Sequence, residues 1–386
     1  MLFLFEDSEM RFHVPTRLVF SSGSLAAISQ IVRKDIGASR ILLITDKGIR
    51  NSGIADRVIS QIEDVTVFDE VEQNPRSTTV DRAGEIARSM KPDLVIGLGG
   101  GSALDAAKAV ALLATNSGGI EEYEGREKYR NPPTPVLAIP TTCGTGSEVT
   151  WVAVITHEKR RFKMSIKGPL MFPAVAIVDP DVLLTLPLPL IASTGMDALT
   201  HAIEAYTVKP ATHITDLFAL ESFRLIFQSI RDAYSDIQKN REAREGIMLG
   251  STLAGMAFGN SDVGGVHCIA ESIGGMFDVP HGVANSVFLP HVMDFNLPSV
   301  ARRYSALAHK VGIGGNEEDA SRMLIERIKE HSRFLHIPMF HDLGIMEKDF
   351  EEIATKSFKN NSSPSNPREA NIEDYVEILK KAYVEK

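Results

Sequence analysis

Residues 93–108, DLVIGLGGGSALDAAK, run an aliphatic strand pattern into consecutive glycines and then into a helical pattern. Glycine lets a backbone come close to an anion, and the N–H groups that open a helix point at it, so this turn suits a pyrophosphate. Its spacing is not G-x-G-x-x-G. The strand ending in an acid, LLITD with Asp46, also precedes the glycines, whereas the usual dinucleotide fingerprint places its acid about 20 residues after them. Taken alone, the turn serves equally well as a plain strand-to-helix connection. Working outward, the runs RILLITD (40–46), VTVFD (65–69), PVLAIP (135–140) and AVAIVDP (174–180) alternate with helical patterns such as TTVDRAGEIARSM and SALDAAKAVALLA. Strand, helix, strand at this spacing predicts a parallel sheet covered on both faces.

Past LPLPL (186–190) the strand signals stop. Long helical patterns follow, among them ASTGMDALTHAIEAY, TDLFALESFRLIFQSIRDAY and EDASRMLIERIKEHSRFL. The expected organisation is an α/β domain over residues 1–188 and an all-α domain over 189–386. A chain of 386 residues with 44% hydrophobic and 24% charged side chains can bury two cores. Lys plus Arg number 41 against 50 Asp plus Glu, a formal charge of −9 with no basic run, so a nucleic-acid partner is not expected. No apolar run reaches membrane-spanning length, and the opening MLFLFEDSEMRF lacks the basic flank of a signal peptide. Two cysteines, Cys143 and Cys268, are too few for a disulfide framework and fit a reducing cytoplasm. KNNSSPSNPRE (359–369) reads as a polar loop before a final helix capped by Asn371.

Three further stretches carry chemistry. PTTCGTGSEVT (140–150) follows a buried-strand pattern with a hydroxyl-rich loop, which offers donors to phosphate and ribose oxygens at the carboxyl end of a strand. Cys143 within it has no cationic neighbour in sequence and reads as a packing residue. In GMDALTHAIEAY (195–206), Asp197 and His201 are one turn apart and share a face, where they either converge on a divalent cation or bond locally. The flanking Ala, Leu and Ile argue against a solvated face. GGVHCIAESIGGMFDVPHG (264–282) adds His267 on a helical-looking segment and His281 at a bend between Pro280 and Gly282. Three histidines and one aspartate complete a four-ligand set.

With these motifs the sequence resembles the iron-containing, or group III, alcohol dehydrogenases from FHVPTRLVFSSGSL (12–25) through VPHGVANSVFLPHV to NPREA. The resemblance implies an N-terminal dinucleotide-binding domain, a C-terminal helical metal-binding domain and a catalytic cleft between them. It makes Asp197, His201, His267 and His281 the metal ligands, for Fe2+ with Zn2+ as the other candidate. It places Gly99, Gly100, Gly101 and Ser102 at the pyrophosphate, and Asn74, Asp105, Thr141, Thr142, Thr145, Ser147 and Lys163 around the rest of the dinucleotide. Asp46 falls at the adenosine ribose, where a carboxylate accepts from a free 2′-hydroxyl and repels a 2′-phosphate, so NAD is expected over NADP.

One position departs from the family pattern. Many members carry a second histidine four residues after the ligand matched by His267, and here that place is Glu271. Three roles are open to it as a catalytic-site residue: relaying the alcohol proton, contacting a substrate hydroxyl, or holding His267 in orientation, with the last two favoured. Asp262 in GNSDVGG is expected near the same cleft, and the two carboxylates would disfavour an anionic substrate. The expected activity is hydride transfer between the nicotinamide and a small alcohol or diol, or the matching aldehyde or ketone, in a homodimer or higher homo-oligomer. The competing readings are a dehydroquinate synthase-like or glycerol dehydrogenase-like enzyme of the same fold, and a non-catalytic metal-stabilised protein.

Overall fold

The computed structural model describes residues 10–385. The apolar opening stretch, in which no signal peptide is expected, falls mostly outside them. Among the described residues nine strands form: β1 (Arg17–Phe20), β2 (Ile41–Ile44), β3 (Val65–Phe68), β4 (Leu94–Gly99), β5 (Gly125–Arg126), β6 (Val136–Pro140), β7 (Val152–His157), β8 (Phe162–Lys167) and β9 (Val175–Val178). Six make one sheet in the order β1-β9-β6-β4-β2-β3, every pair parallel. Both faces are covered, as the unbroken aliphatic runs require. Ile41 and Leu43 enter one apolar core, while Leu42 and Ile44 enter the other, together with the helices Ser77–Met90 and Gly101–Leu113.

The five anticipated strands all form. The sequence reading did not anticipate the small sheet β5-β8-β7, whose antiparallel β7–β8 pair sets Thr156 opposite Lys163. Its buried residues Ala153, Ile155, Met164 and Ile166 pack into the second core beside the Gly101–Leu113 helix. Nor was β1 anticipated at the sheet edge, where Arg17 pairs with Val175.

After β9 the chain is helical: Leu188–Thr207, His213–Asp236, Arg241–Phe258, Gly265–Phe277, His281–Lys310, Glu317–Phe334, Phe350–Phe358 and Ile372–Val384. Asn371 caps the last, accepting from the Asp374 N–H at 2.8 Å. Among the described residues, no helix is long and apolar enough to cross a membrane.

The sheet order positions the site. From β2 the chain steps outward to β3 and then returns to the other side of β2 as β4, so the connections diverge between β2 and β4. At such a switch point the carboxyl ends of the strands open a crevice for ligand. Asp46 follows β2 there, and the glycines follow β4.

Candidate active site

A cleft of roughly 1760 Å³ runs from this switch point to the helices, and every expected site residue except Gly99 lines it. Gly99 is buried at the end of β4 with φ +150°, a conformation open to glycine, and a Cβ there would sit 2.7 Å from Ala103 Cβ. Its role is to turn the strand rather than to face a ligand. Gly101, the first residue of the following helix, lies so close to the hydroxyl loop that a Cβ would meet Thr145 Cγ2 at 2.5 Å. No side chain caps this helix, which leaves the N–H groups of its first turn for a ligand. The Thr141 N–H donates to the Gly99 carbonyl at 2.9 Å, so the glycine turn and the hydroxyl loop form one wall.

Some polar groups along this wall hold each other. Ser147 Oγ donates to Asp105 Oδ1 at 2.6 Å, Asp105 Oδ2 accepts from the Val154 N–H at 2.9 Å, and Lys108 Nζ lies 3.1 Å from Asp105. Lys108 is fully buried and also donates to the Ser147 carbonyl at 3.1 Å. Asp105 and Ser147 therefore brace the loop that carries Thr141, Thr142 and Thr145. Asp46 splits its carboxylate: Oδ1 accepts from the Ile49 N–H at 2.9 Å as a helix cap, and Oδ2 stays on the Gly99 side. Asn74, in the left-handed region at φ 55°, donates to Asp278 Oδ1 at 2.7 Å and so ties the sheet side to the end of the Gly265–Phe277 helix.

Opposite this wall, one ligand atom from each of Asp197, His201, His267 and His281 lies within 4.8 Å of the others. The Leu188–Thr207 helix supplies Asp197 and His201 one turn apart, and the Gly265–Phe277 helix supplies His267. His281 is the first residue of the His281–Lys310 helix, which kinks at Val300, rather than part of an open bend. Gly282 beside it is required by packing, since a Cβ there would come within 2.4 Å of the Ser193 carbonyl oxygen. Phe258 stacks on His201 with ring centroids 4.3 Å apart.

Burial holds His201 down to about 3 and His281 well below the usual imidazole range, so both present neutral rings. Burial opposes protonation of His267 too, but its bond to Glu204 and the charges of Glu204, Asp197 and Glu271 outweigh burial and raise its pKa.

Two residues that the sequence reading did not single out organise this cluster. Glu204 Oε2 lies 2.6 Å from His267 Nδ1, and its two oxygens also accept from the N–H groups of Gly264 and Val266. Glu204 is the carboxylate that orients His267, and Glu271 is not, contrary to one of the two favoured sequence expectations. Asn285 Nδ2 lies 2.6 Å from Asp197 Oδ1, 3.1 Å from His267 Nε2 and 3.2 Å from His281 Nε2. One amide nitrogen has two hydrogens for these three acceptors, and buried His201 Nδ1 has no hydrogen-bond partner among the described residues. Lone pairs converging in excess of the available donors suit a cation, and one carboxylate with three imidazoles is a donor set for a divalent one.

Cys143 is buried against Thr194 and burial pushes its thiol up to about 11, which fits packing rather than attack. Asp262 lines the cleft and accepts from Ser362 Oγ at 2.9 Å and Ser365 Oγ at 2.6 Å. The polar loop near residue 360 is thus part of the site.

A parallel sheet whose carboxyl edge faces a buried carboxylate and three imidazoles across one cleft is the build of a metal-dependent nicotinamide oxidoreductase. The chain belongs to the iron-containing alcohol dehydrogenases. The family model for iron-containing alcohol dehydrogenase matches residues 15–180, and that for the C-terminal part of the Fe-containing alcohol dehydrogenase family matches 191–383. The chain is 39% identical to the 1,3-propanediol dehydrogenase of Citrobacter freundii, over 96% of this chain and 98% of that one. It is 36% identical to the NAD-dependent methanol dehydrogenase of Bacillus methanolicus, over 96% and 99%. A crystal structure of a 1,3-propanediol oxidoreductase superposes with a TM-score of 0.93 at 36% identity, covering 97% of this chain and 100% of that one. The protein is a nicotinamide-dependent alcohol oxidoreductase that acts on small molecules, and the lyase and non-catalytic readings are not favoured.

Proposed function

We propose that Asp197, His201, His267 and His281 hold one divalent cation at the reacting end of a small alcohol or carbonyl substrate, with NAD laid along the opposite wall. The observation that carries this reading is the convergence of four ligand atoms, three of them on buried residues, within 4.8 Å at the cleft. When bound, such a cation lowers the pKa of an alcohol and polarises a carbonyl, while the nicotinamide carries the hydride. The chain's own residues do the rest. Glu204 fixes the tautomer and direction of His267, Asn285 draws the acceptors together, and Phe258 walls the His201 side against water.

On the sheet side, Gly100, Gly101 and Ser102 receive the pyrophosphate at the open helix end, and Thr141, Thr142 and Thr145 offer their hydroxyls. Buried Lys163 lines the cleft on β8, near enough to Asp197, Glu271 and Asp278 to sense their charge. Asp46 Oδ2 meets the adenosine ribose and selects NAD. We place the division between the dinucleotide-binding and metal-binding parts at residues 188 and 189, where the first long helix begins after the last strand. The buried free thiols of Cys143 and Cys268 support a cytoplasmic setting. Iron is the family metal, and zinc competes because nitrogen and oxygen sites bind it more tightly than ferrous iron.

Metal analysis with steady-state NADH absorbance on a panel of small alcohols and aldehydes tests the reading. The parent should carry one divalent ion per chain and turn over, and His267→Ala should lose both. Full occupancy and activity in that variant would remove the site.

A further inference from the structure

Glu271 has a partner that the reaction described above does not use. It follows His267 by one turn on the Gly265–Phe277 helix and lines the same cleft. It does not hold His267, because Glu204 occupies Nδ1 and Nε2 faces Asn285. Instead Asn360 Nδ2 donates to Glu271 Oε2 at 2.6 Å. Asn360 is fixed in turn, its Oδ1 accepting from the Ser362 N–H at 2.9 Å. The carboxylate is held by one oxygen, and Oε1 has no protein donor among the described residues.

Lys163 stands beside it. It reaches in over Gly274, three residues on from Glu271 along the same helix, where a Cβ would lie 2.9 Å from Nζ; burial disfavours its ammonium, and Glu271 heads the charges that oppose this. With an amine already beside the carboxylate, the spot suits a neutral hydroxyl donor rather than a further cation. Four residues rise about 6 Å along a helix, so Glu271 stands roughly one turn from His267 on the same face, a separation of the order spanned by the two oxygens of a short diol such as a 1,3-diol.

We propose that the Glu271–Asn360 pair is a specificity element that receives the second, non-reacting hydroxyl of a short 1,3-diol or its hydroxyaldehyde. This rests on the reading of the four-residue cluster as the reacting centre. Glu271 Oε1 accepts the hydroxyl hydrogen, and Asn360 keeps that oxygen turned toward the cleft. The substrate's far end is fixed and its reacting carbon is held toward the nicotinamide.

The test is the ratio of kcat/KM for 1,3-propanediol to that for 1-propanol, with NAD, at matched metal content. Glu271→Gln should lower this ratio about tenfold or more, chiefly through the KM for the diol. Asn360→Ala, on a loop outside the helix, should lower it in the same direction and serves if the first variant does not fold. An undiminished ratio in a folded Glu271→Gln protein overturns the proposal. So does an equal fall for both alcohols carried by kcat with a shifted pH profile, which is the mark of a proton relay. Parent preference for 3-amino-1-propanol over the diol would likewise overturn it, in favour of a cation site. A parent that oxidises no alcohol and reduces no carbonyl would sink the underlying assignment instead, so the two failures are distinguishable.

Discussion

At the scale of single residues, the four clustered side chains were legible and their supports were not. Asp197 and His201 announce themselves because a helix places residues four apart on one face, and polar groups in an apolar surround need a reason. Glu204 lies on the same helix, but its partner is 63 residues away, and only the packing of two helices brings them to 2.6 Å. Asn285 is likewise one turn from His281, with nothing in its local sequence to point at Asp197 from the Leu188–Thr207 helix. Glu204→Gln keeps the shape but loses the charge that orients and polarises His267. It should weaken metal affinity by about 10- to 100-fold, measured by competition with a chelating dye on protein whose circular dichroism is unchanged. Unaltered affinity would show that Glu204 only fills space. Asp46→Gly removes the carboxylate that we propose repels a 2′-phosphate. It should cut the ratio of NAD to NADP catalytic efficiency by about tenfold or more, and comparable efficiency with both cofactors in the parent would refute the assignment.

At the scale of elements, unbroken aliphatic runs read correctly as buried parallel strands, because a strand covered on both faces has no polar side to show. The β7–β8 pair escaped notice. FKMSIK alternates apolar and polar residues, but VAVITH opens on four apolar ones, and the charged turn EKRR cuts the pair into short runs where periodicity is brief. The polar loop after the Phe350–Phe358 helix looked like a mere connection, yet Asn360, Ser362 and Ser365 all reach cleft carboxylates from it. Helix packing also sets a tolerance at Gly282. Backbone cannot yield as a flexible side chain can, so Gly282→Ala must push the start of the His281–Lys310 helix away from Ser193. We expect a stability loss of about 1–3 kcal/mol by urea unfolding, together with reduced metal occupancy as His281 moves. A variant with parental stability and metal content would mean that the two helices slide without cost.

At the scale of the whole molecule, the alternation of strands followed by helices revealed the architecture and the resemblance implied a cleft, while the supports of that cleft emerged only from three-dimensional closure of segments hundreds of residues apart. Acid stability is a property of that closure. His331 on the Glu317–Phe334 helix is buried, its Nδ1 accepts from Arg231 Nε at 3.0 Å, and burial with the nearby Arg231 and Arg327 lowers its pKa from 6.5 to about 4. A base with a depressed native pKa stabilises the fold above the unfolded value, and that contribution fades as pH drops from 6.5 to about 4. Over this window the parent should lose up to about 3 kcal/mol more than His331→Gln does, read from urea unfolding at each pH. Parallel curves for the two proteins would refute this.

The pairing of β1 with β9 has a consequence for how the chain is made. Arg17 waits for Val175, so during synthesis this strand leaves the ribosome long before its one sheet neighbour among the described residues exists. Until β9 is released, β1 is an unpaired apolar segment and β6 an exposed edge, both open to pairing with other chains. Nascent chains stalled before Val175 should be protease-sensitive and bound by chaperones. Those released beyond the emergence of residue 178 should become resistant over the whole sheet in a single step.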